Sequence, residues 1–308
     1  MICRITLVAA IVAAFAVSLA AQRQLELPLR PESTPFWRCE RIVSTAPSIT
    51  ETLYALGLGD RVVGVTRFCE FPPEVKHKPQ IGGYYDPNFE AIVALRPDLV
   101  IMLEEQAEAV PAFAKLKLET LVILHKTIAG VIDSFRTIGR VCGRGPEGRQ
   151  MAAEFERRLA VVEKKTKDLP RPRVLGVLDR TFGNGKLADV YVVGDDSYLD
   201  TMIQLAGGQN AYQQRGIRYP TVSTEGLLSL NPDVIVDLVP KTGLEQLSRD
   251  KLVADWNQLH QVAAVRNRRV LVFDQTYACV PGPRFLQFVE ALARALHPEV
   301  DWDDSKAP

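Results

Sequence analysis

The 308 residues carry 37 lysines and arginines against 37 aspartates and glutamates, and 47% of them are apolar. A chain of this length makes one or two domains, with enough apolar material for a core in each. Without net charge there is no field to gather nucleic acid or anionic lipid, which excludes binders that work by bulk electrostatics.

In chain order, residues 1–21 hold one arginine, an apolar run from Ile5 to Leu19, and then Ser18-Leu19-Ala20. That is the pattern of a secretory signal with a small-x-small cleavage site. The alternative is an uncleaved anchor, for which the run is slightly short. No cysteine follows at lipobox distance, so the expectation is an exported protein without a lipid anchor. Residues 22–39 are polar and proline-bearing and read as a mature tail.

A first α/β lobe is expected over 40–127. Its strands are Ile42–Ser44, Val62–Val65, Leu99–Leu103 and Leu121–Leu124, and Ser48 caps a helix ended by Gly57 and Gly59. Residues 128–168 turn helical, with a pause at Gly143–Pro146. From Glu147 to Asp168, Met151, Phe155, Leu159 and Val162 recur at helical spacing, and such a helix would run about 33 Å. A second lobe over 169–298 has strands Val174–Leu178, Val190–Val193, Val234–Leu238 and Val270–Phe273, and closes with a helix at Arg284–Leu296; 299–308 is a tail. The expected fold is α/β, two lobes each with a central mostly parallel sheet, joined by one long interlobe helix.

The two-lobe reading rests on a repeat. Asn88-Phe-Glu90 opens a short apolar helix, a stop at Pro97-Asp98 and a β-branched run. Ser223-Thr-Glu225 opens the same plan, with Pro232-Asp233, about 135 residues later. Each has an N-cap residue two positions before the glutamate, and a proline that ends the helix by restricting the residue before it. Glu90 and Glu225 therefore start helices that lead into parallel strands, at the carboxyl edge where such sheets bind ligands.

Motifs for other chemistry are weak. Gly183-Asn-Gly185-Lys-Leu-Ala188 fits a loose dinucleotide fingerprint, but a strand-like stretch follows it where a helix is required. There is no nucleophile elbow and no phosphate loop. His77, His125, His260 and His297 are scattered and read as surface or helix-end residues, although His77 lies in a cleft-facing segment. No residue set argues for catalysis. The mouth loops instead gather arginines and aromatics: Arg67, Phe68 and Cys69; Tyr84 and Tyr85; Arg180; Tyr219; Tyr277 and Arg284. Rings that stack and guanidinium forks that bind carboxylate or phosphate suit a large, flat, partly anionic ligand.

The repeat, with Arg41-Ile-Val-Ser-Thr-Ala-Pro-Ser48 upstream, resembles the periplasmic substrate-binding proteins of ABC importers for cobalamin, ferric siderophores and haem, over residues 40–297. The resemblance implies a non-enzymatic, monomeric, extracytoplasmic protein without a resident cofactor or metal. Its partners would be transmembrane permease subunits and a small-molecule metal chelate, with no nucleic acid. It also implies a helical backbone between the lobes with limited hinge closure, and docking of Glu90 and Glu225 on arginines of two permease subunits. In cobalamin-binding members aromatics match Phe68, Tyr84 or Tyr85, and Tyr219, and an arginine matches Arg284. Here tyrosines stand where tryptophan is frequent, and Arg67 and Cys69 are additions. The expected ligand is a corrinoid such as cobalamin, with a ferric siderophore or haem, ligated directly by a tyrosine, as the runner-up. An extracytoplasmic enzyme acting on a tetrapyrrole and a sensory binding module are the readings from other classes.

Cys39 precedes the first strand, and Cys142 ends a helix that runs back to the same sheet edge. Cys69 and Cys279 both follow strands, at the mouth. An oxidising compartment allows disulfides, so this topology permits Cys39–Cys142 and opposes mixed pairs such as Cys39–Cys69; four free thiols are the alternative.

Overall fold

The computed structural model describes residues 37–183, 185, 187, 189–195, 197–239 and 247–302. The chain divides into Met1–Phe36 and Trp37–Pro308, and all described residues belong to the second unit. The expected signal segment, most of the N-terminal tail, parts of the 183–188 fingerprint and the chain after residue 302 lie outside the described residues.

The first lobe runs β1 (Ile42–Ser44), α1 (Pro47–Ala55), β2 (Val62–Val65), α2 (Phe89–Ala94), β3 (Leu99–Leu103), α3 (Val110–Lys115) and β4 (Thr120–Ile123). Its strands lie in the order β2-β1-β3-β4, all parallel. β1 and β3 are buried along their whole length, which is why they read as unbroken apolar runs. Two helices follow, α4 (Ile128–Val141) and α5 (Gly145–Thr166).

The second lobe runs β5 (Arg173–Asp179), β6 (Val190–Val192), α6 (Tyr198–Leu205), β7 (Gln209–Asn210), β8 (Thr221–Val222), α7 (Thr224–Leu230), β9 (Val234–Leu238), α8 (Arg249–Ala254), α9 (Ala263–Arg266), β10 (Val270–Phe273) and α10 (Phe285–Leu296). Its sheet has the order β10-β9-β5-β6-β8, with β7 beside β5. β10, β9, β5 and β7 are mutually parallel, whereas β6 runs antiparallel to both β5 and β8.

Where one long helix was expected between the lobes, a pair is found. Ile128, Val131 and Phe135 of α4 and Phe155 and Val162 of α5 join the apolar core of the second lobe. Ile138 and Cys142 at the other end of α4 join the core of the first lobe, and Met151 of α5 packs against both. An aromatic chain runs from Phe135 to Phe155 at 5.0 Å and on to Phe285 of α10 at 5.3 Å. The two helices approach closely because glycines face each other: a Cβ on Gly148 would lie 2.4 Å from the Phe135 carbonyl oxygen. Cys39 and Cys142 form a disulfide with Cα atoms 5.3 Å apart, tying the end of α4 to the entry of β1, while Cys69 and Cys279 are free. No described helix is long and apolar enough to cross a membrane.

Candidate ligand-binding cleft

The carboxyl ends of the two sheets open on a cavity of about 340 Å³ lined from both lobes. Tyr84 and Tyr85 come from the loop after β2, and Tyr219 from the loop before β8. Sequence reasoning brought these three together, and the structure does so too. Tyr84 and Tyr85 meet edge to face with centroids 4.6 Å apart. Their loop is held by Gln106, whose Nε2 donates to the Tyr84 carbonyl at 2.6 Å and to the Thr45 carbonyl at 3.2 Å.

A fourth ring, Tyr198 at the start of α6, also lines the cavity and donates its hydroxyl to the Cys279 carbonyl at 2.8 Å. The sequence reading missed it because it sits inside a helix rather than at a loop tip. Glu105, Lys126 and Arg218 bring charge to the same cavity. Burial pushes the phenols of Tyr84, Tyr198 and Tyr219 up, and nearby Glu105 adds to this for Tyr84 and Tyr219. All three are neutral hydroxyls at physiological pH.

A second cavity of about 280 Å³ adjoins the first and shares Pro47, Cys279 and Val280 with it. Phe68 and Arg284 line it. Arg284, expected to face ligand, spends its fork on Glu51 of α1, with contacts of 2.9 and 2.6 Å, and stacks over Phe71 with 3.7 Å from Cζ to the ring centroid. This ion pair spans the two lobes. Burial pushes the Glu51 carboxyl up, and the Arg284 hydrogen bonds and charge pull the other way.

Four expected ligand residues line neither cavity. Arg180 is buried, its side chain fully enclosed: Nε and Nη2 bind Asp237 at 2.9 and 2.8 Å, and Nη1 binds Asp255 at 2.7 Å. Asp237 is the next-to-last residue of the wholly buried strand β9, so its charge demands a partner inside the lobe. Cys69 is buried as well, its Sγ 3.3 Å from the Thr50 hydroxyl and 3.2 Å from that of Thr66, and burial raises its thiol. Arg67 lines neither cavity; it pairs with Asp86 at 3.1 Å at the rim and covers Phe68. Tyr277 lies beneath Arg284, half-buried, and also lines neither.

Two local expectations also fail. Ser48 does not cap α1: the N-cap position is Ala46, and Ser48 stands in the first turn with its side chain turned to His125. His125, read as surface or helix-end, is 3% exposed in the cleft wall, while His297 stands at a helix end as read, and is buried there. The signal for His125 was its place in the short connection between β4 and α4, two residues before the N-cap Thr127.

Residues 42–277 match the periplasmic binding protein family. The chain belongs to that family. An uncharacterized ABC transporter substrate-binding lipoprotein of Bacillus subtilis is 31% identical over 268 residues, which are 84% of this chain and 81% of the relative. A cobalamin-binding protein of Halobacterium salinarum is 28% identical over 268 residues, 84% of this chain and 69% of the relative. Among solved structures, an apo periplasmic heme-binding protein from Roseiflexus superposes with a TM-score of 0.71 at 30% identity, covering 84% of this chain and 98% of the other. As a periplasmic binding protein, this chain is a non-enzymatic, substrate-binding component of an ABC transporter.

Proposed function

We propose that this binding protein captures a corrinoid outside the cytoplasmic membrane and delivers it to the transmembrane subunits of an ABC importer. The observation that carries the reading is the ring of Tyr84, Tyr85, Tyr198 and Tyr219 around one cavity, with three of the phenols held neutral. Neutral tyrosines offer ring faces and hydroxyl donors to a large ligand whose metal is already chelated. A tyrosine that ligates iron directly must lose that hydroxyl proton, a cost that the metal's own charge has to offset. Cobalamin-binding relatives such as that of Halobacterium support the same ligand class. Glu90 and Glu225, both exposed at helix starts on the two lobes, supply the docking charges.

Haem is the second reading. Lys126 and Arg218 at the cavity suit the carboxylates of its edge, and the Roseiflexus structure belongs to a heme-binding protein. Titration with cyanocobalamin, haemin and a ferric siderophore separates the readings. The corrinoid reading expects cyanocobalamin to bind tightest. Replacing Tyr84, Tyr85 or Tyr219 by Ala should then weaken it about threefold to tenfold, a stacking loss of about 0.5–1.5 kcal/mol. Haemin bound with a tyrosinate-to-iron charge-transfer band, and no uptake of cyanocobalamin, would transfer the assignment to haem.

A further inference from the structure

In the wall of the first cavity, three side chains from separate elements form a line. Ser134 of α4 donates its hydroxyl to the Val131 carbonyl at 2.6 Å. His125 lies between the two serines, with Nε2 2.9 Å from the Ser134 oxygen and Nδ1 3.0 Å from the Ser48 oxygen. Ser48, His125 and Ser134 are all at least 97% buried, and Ser48 and His125 line the cavity.

The hydrogens of this line are assigned outward from its shortest contact. Ser134 has one hydrogen and two acceptors within reach, and the Val131 carbonyl, which can only accept, is the nearer at 2.6 Å against 2.9 Å for Nε2, so the hydrogen is assigned to Val131. The Ser134 oxygen can then only accept from the ring, which places a hydrogen on Nε2. The ring is neutral, because burial holds His125 down to about 3, so Nδ1 carries a lone pair. That lone pair takes the hydroxyl hydrogen of Ser48. The Ser48 oxygen is left with lone pairs and no hydrogen to offer the cavity.

We infer that Ser48 is a fixed hydrogen-bond acceptor in the cleft, and that it selects a ligand edge bearing an N–H donor, a carboxamide rather than a carboxylate. His125 and Ser134 are positioning residues that act through Ser48. The inference deepens the corrinoid reading and rests on it: corrinoids carry peripheral carboxamides, whereas the haem edge carries carboxylates. A carboxamide can turn its N–H to Ser48. A carboxylate presents only lone pairs there and leaves a desolvated oxygen facing another.

The test pairs two measurements. First, ¹⁵N spectra of the histidine side chains, with His125 assigned through His125→Gln, should give a neutral ring protonated on Nε2 in the ligand-free protein. Second, cyanocobalamin is compared with its separated monocarboxylic acid derivatives, each with one peripheral amide hydrolysed. At least one isomer should bind about tenfold more weakly than cyanocobalamin, the loss expected for a desolvated acceptor facing no donor. In Ser48→Ala that preference should fall to about one, while affinity for the other isomers holds its order. Ser134→Ala should reduce the same ratio by freeing the ring to protonate on Nδ1, and Ser134→Thr should restore it. A merely structural role for Ser134 would weaken all the isomers together and leave the ratio unmoved. Protonation on Nδ1 in the wild type, or equal binding of all the isomers, overturns the inference and leaves the corrinoid reading intact. If cyanocobalamin does not bind, the corrinoid reading fails by itself. Haemin against its bis-carboxamide then carries the comparison, and a preference for haemin at wild-type Ser48 overturns the inference.

Discussion

At the amino edge of the first lobe, Asp98 accepts the backbone N–H groups of Glu40 and Arg41 at 3.0 and 3.1 Å, and the Arg41 guanidinium caps the end of α2 through the Leu95 and Arg96 carbonyls. At the amino edge of the second lobe, Asp233 accepts the N–H of Arg173 at 2.8 Å, and the Arg173 guanidinium reaches the Asn231 carbonyl at the end of α7. The residue before each proline, Arg96 or Asn231, even shares the left-handed region, at φ 47 and 39. The mouths diverge. After β2, Arg67 is 47% exposed at the rim, with Asp86; after β5, Arg180 is sealed between Asp237 and Asp255. The edge that launches each strand repeats because both lobes must start their strands alike. The ligand edge is under no such constraint.

The largest effect expected from this contrast is at Arg180. Arg180→Met leaves the carboxylates of Asp237 and Asp255 buried without their cation, which should cost about 3–5 kcal/mol in chemical denaturation. Asp255 also holds the N–H groups of Gly183 and Gly185, so the loop after β5 should loosen too. Arg67→Met, at an exposed pair, should stay within about 1 kcal/mol. Similar losses in the two variants would erase the difference between the mouths.

That contrast also marks how far the sequence could be read. The strands, the repeated Pro-Asp stops and the caps at Asn88 and Ser223 are local patterns, and all appear where the sequence puts them. Tyr84, Tyr85 and Tyr219 were legible because aromatic loop tips after parallel strands have one place to go. Arg180 looked the same in sequence, but its partners lie 57 and 75 residues away on β9 and beside Trp256. One clue stood in plain sight: an aspartate inside Val-Ile-Val-Asp237-Leu, an otherwise apolar strand, needs a buried cation. The packing of the helix pair against both cores and the Ser48–His125–Ser134 line depend on three-dimensional contacts that no short window encodes.

A second break between the lobes concerns acid, because the buried histidine of the cleft belongs to the first lobe. Burial holds His125 at about 3 in the folded protein, against an ordinary 6.5. The unfolded chain therefore binds a proton below pH 6.5 that the folded chain refuses. Stability from this residue is complete above about pH 6.5 and is lost as pH falls toward 3, by about 2 kcal/mol at pH 5. Denaturation midpoints between pH 7.5 and 5 should fall more steeply for wild type than for His125→Gln. Parallel curves would mean that the ring titrates normally.

A smaller effect sharpens the comparison at the amino edges. Asp98→Ala removes the acceptor of two strand-start N–H groups and Asp233→Ala the acceptor of one, so the loss should be about 1 kcal/mol for Asp233 and larger for Asp98. Equal losses would show that the second bond at Asp98 contributes nothing.

The least change in the isolated protein is expected at the two repeated glutamates. Glu90 and Glu225 are exposed, in the first turns of α2 and α7, and the caps of those helices are made by Asn88 and Ser223 instead. The Glu225 carboxyl is held below its usual range by its own backbone N–H and by Ser223, so it is ionised at neutral pH. Neither glutamate lines either cavity. One such charge on each lobe suits a two-subunit permease, where complementary charges set register and association rate more than affinity. Glu90→Arg combined with Glu225→Arg should therefore leave ligand affinity and melting temperature almost unchanged, while uptake by cells carrying the cognate permease is abolished. The single variants should each keep partial uptake, because one docking point survives. Wild-type uptake by the double variant would remove the docking role. Lost ligand binding would instead move the two glutamates into the pocket, making the one feature that the two mouths share part of ligand recognition.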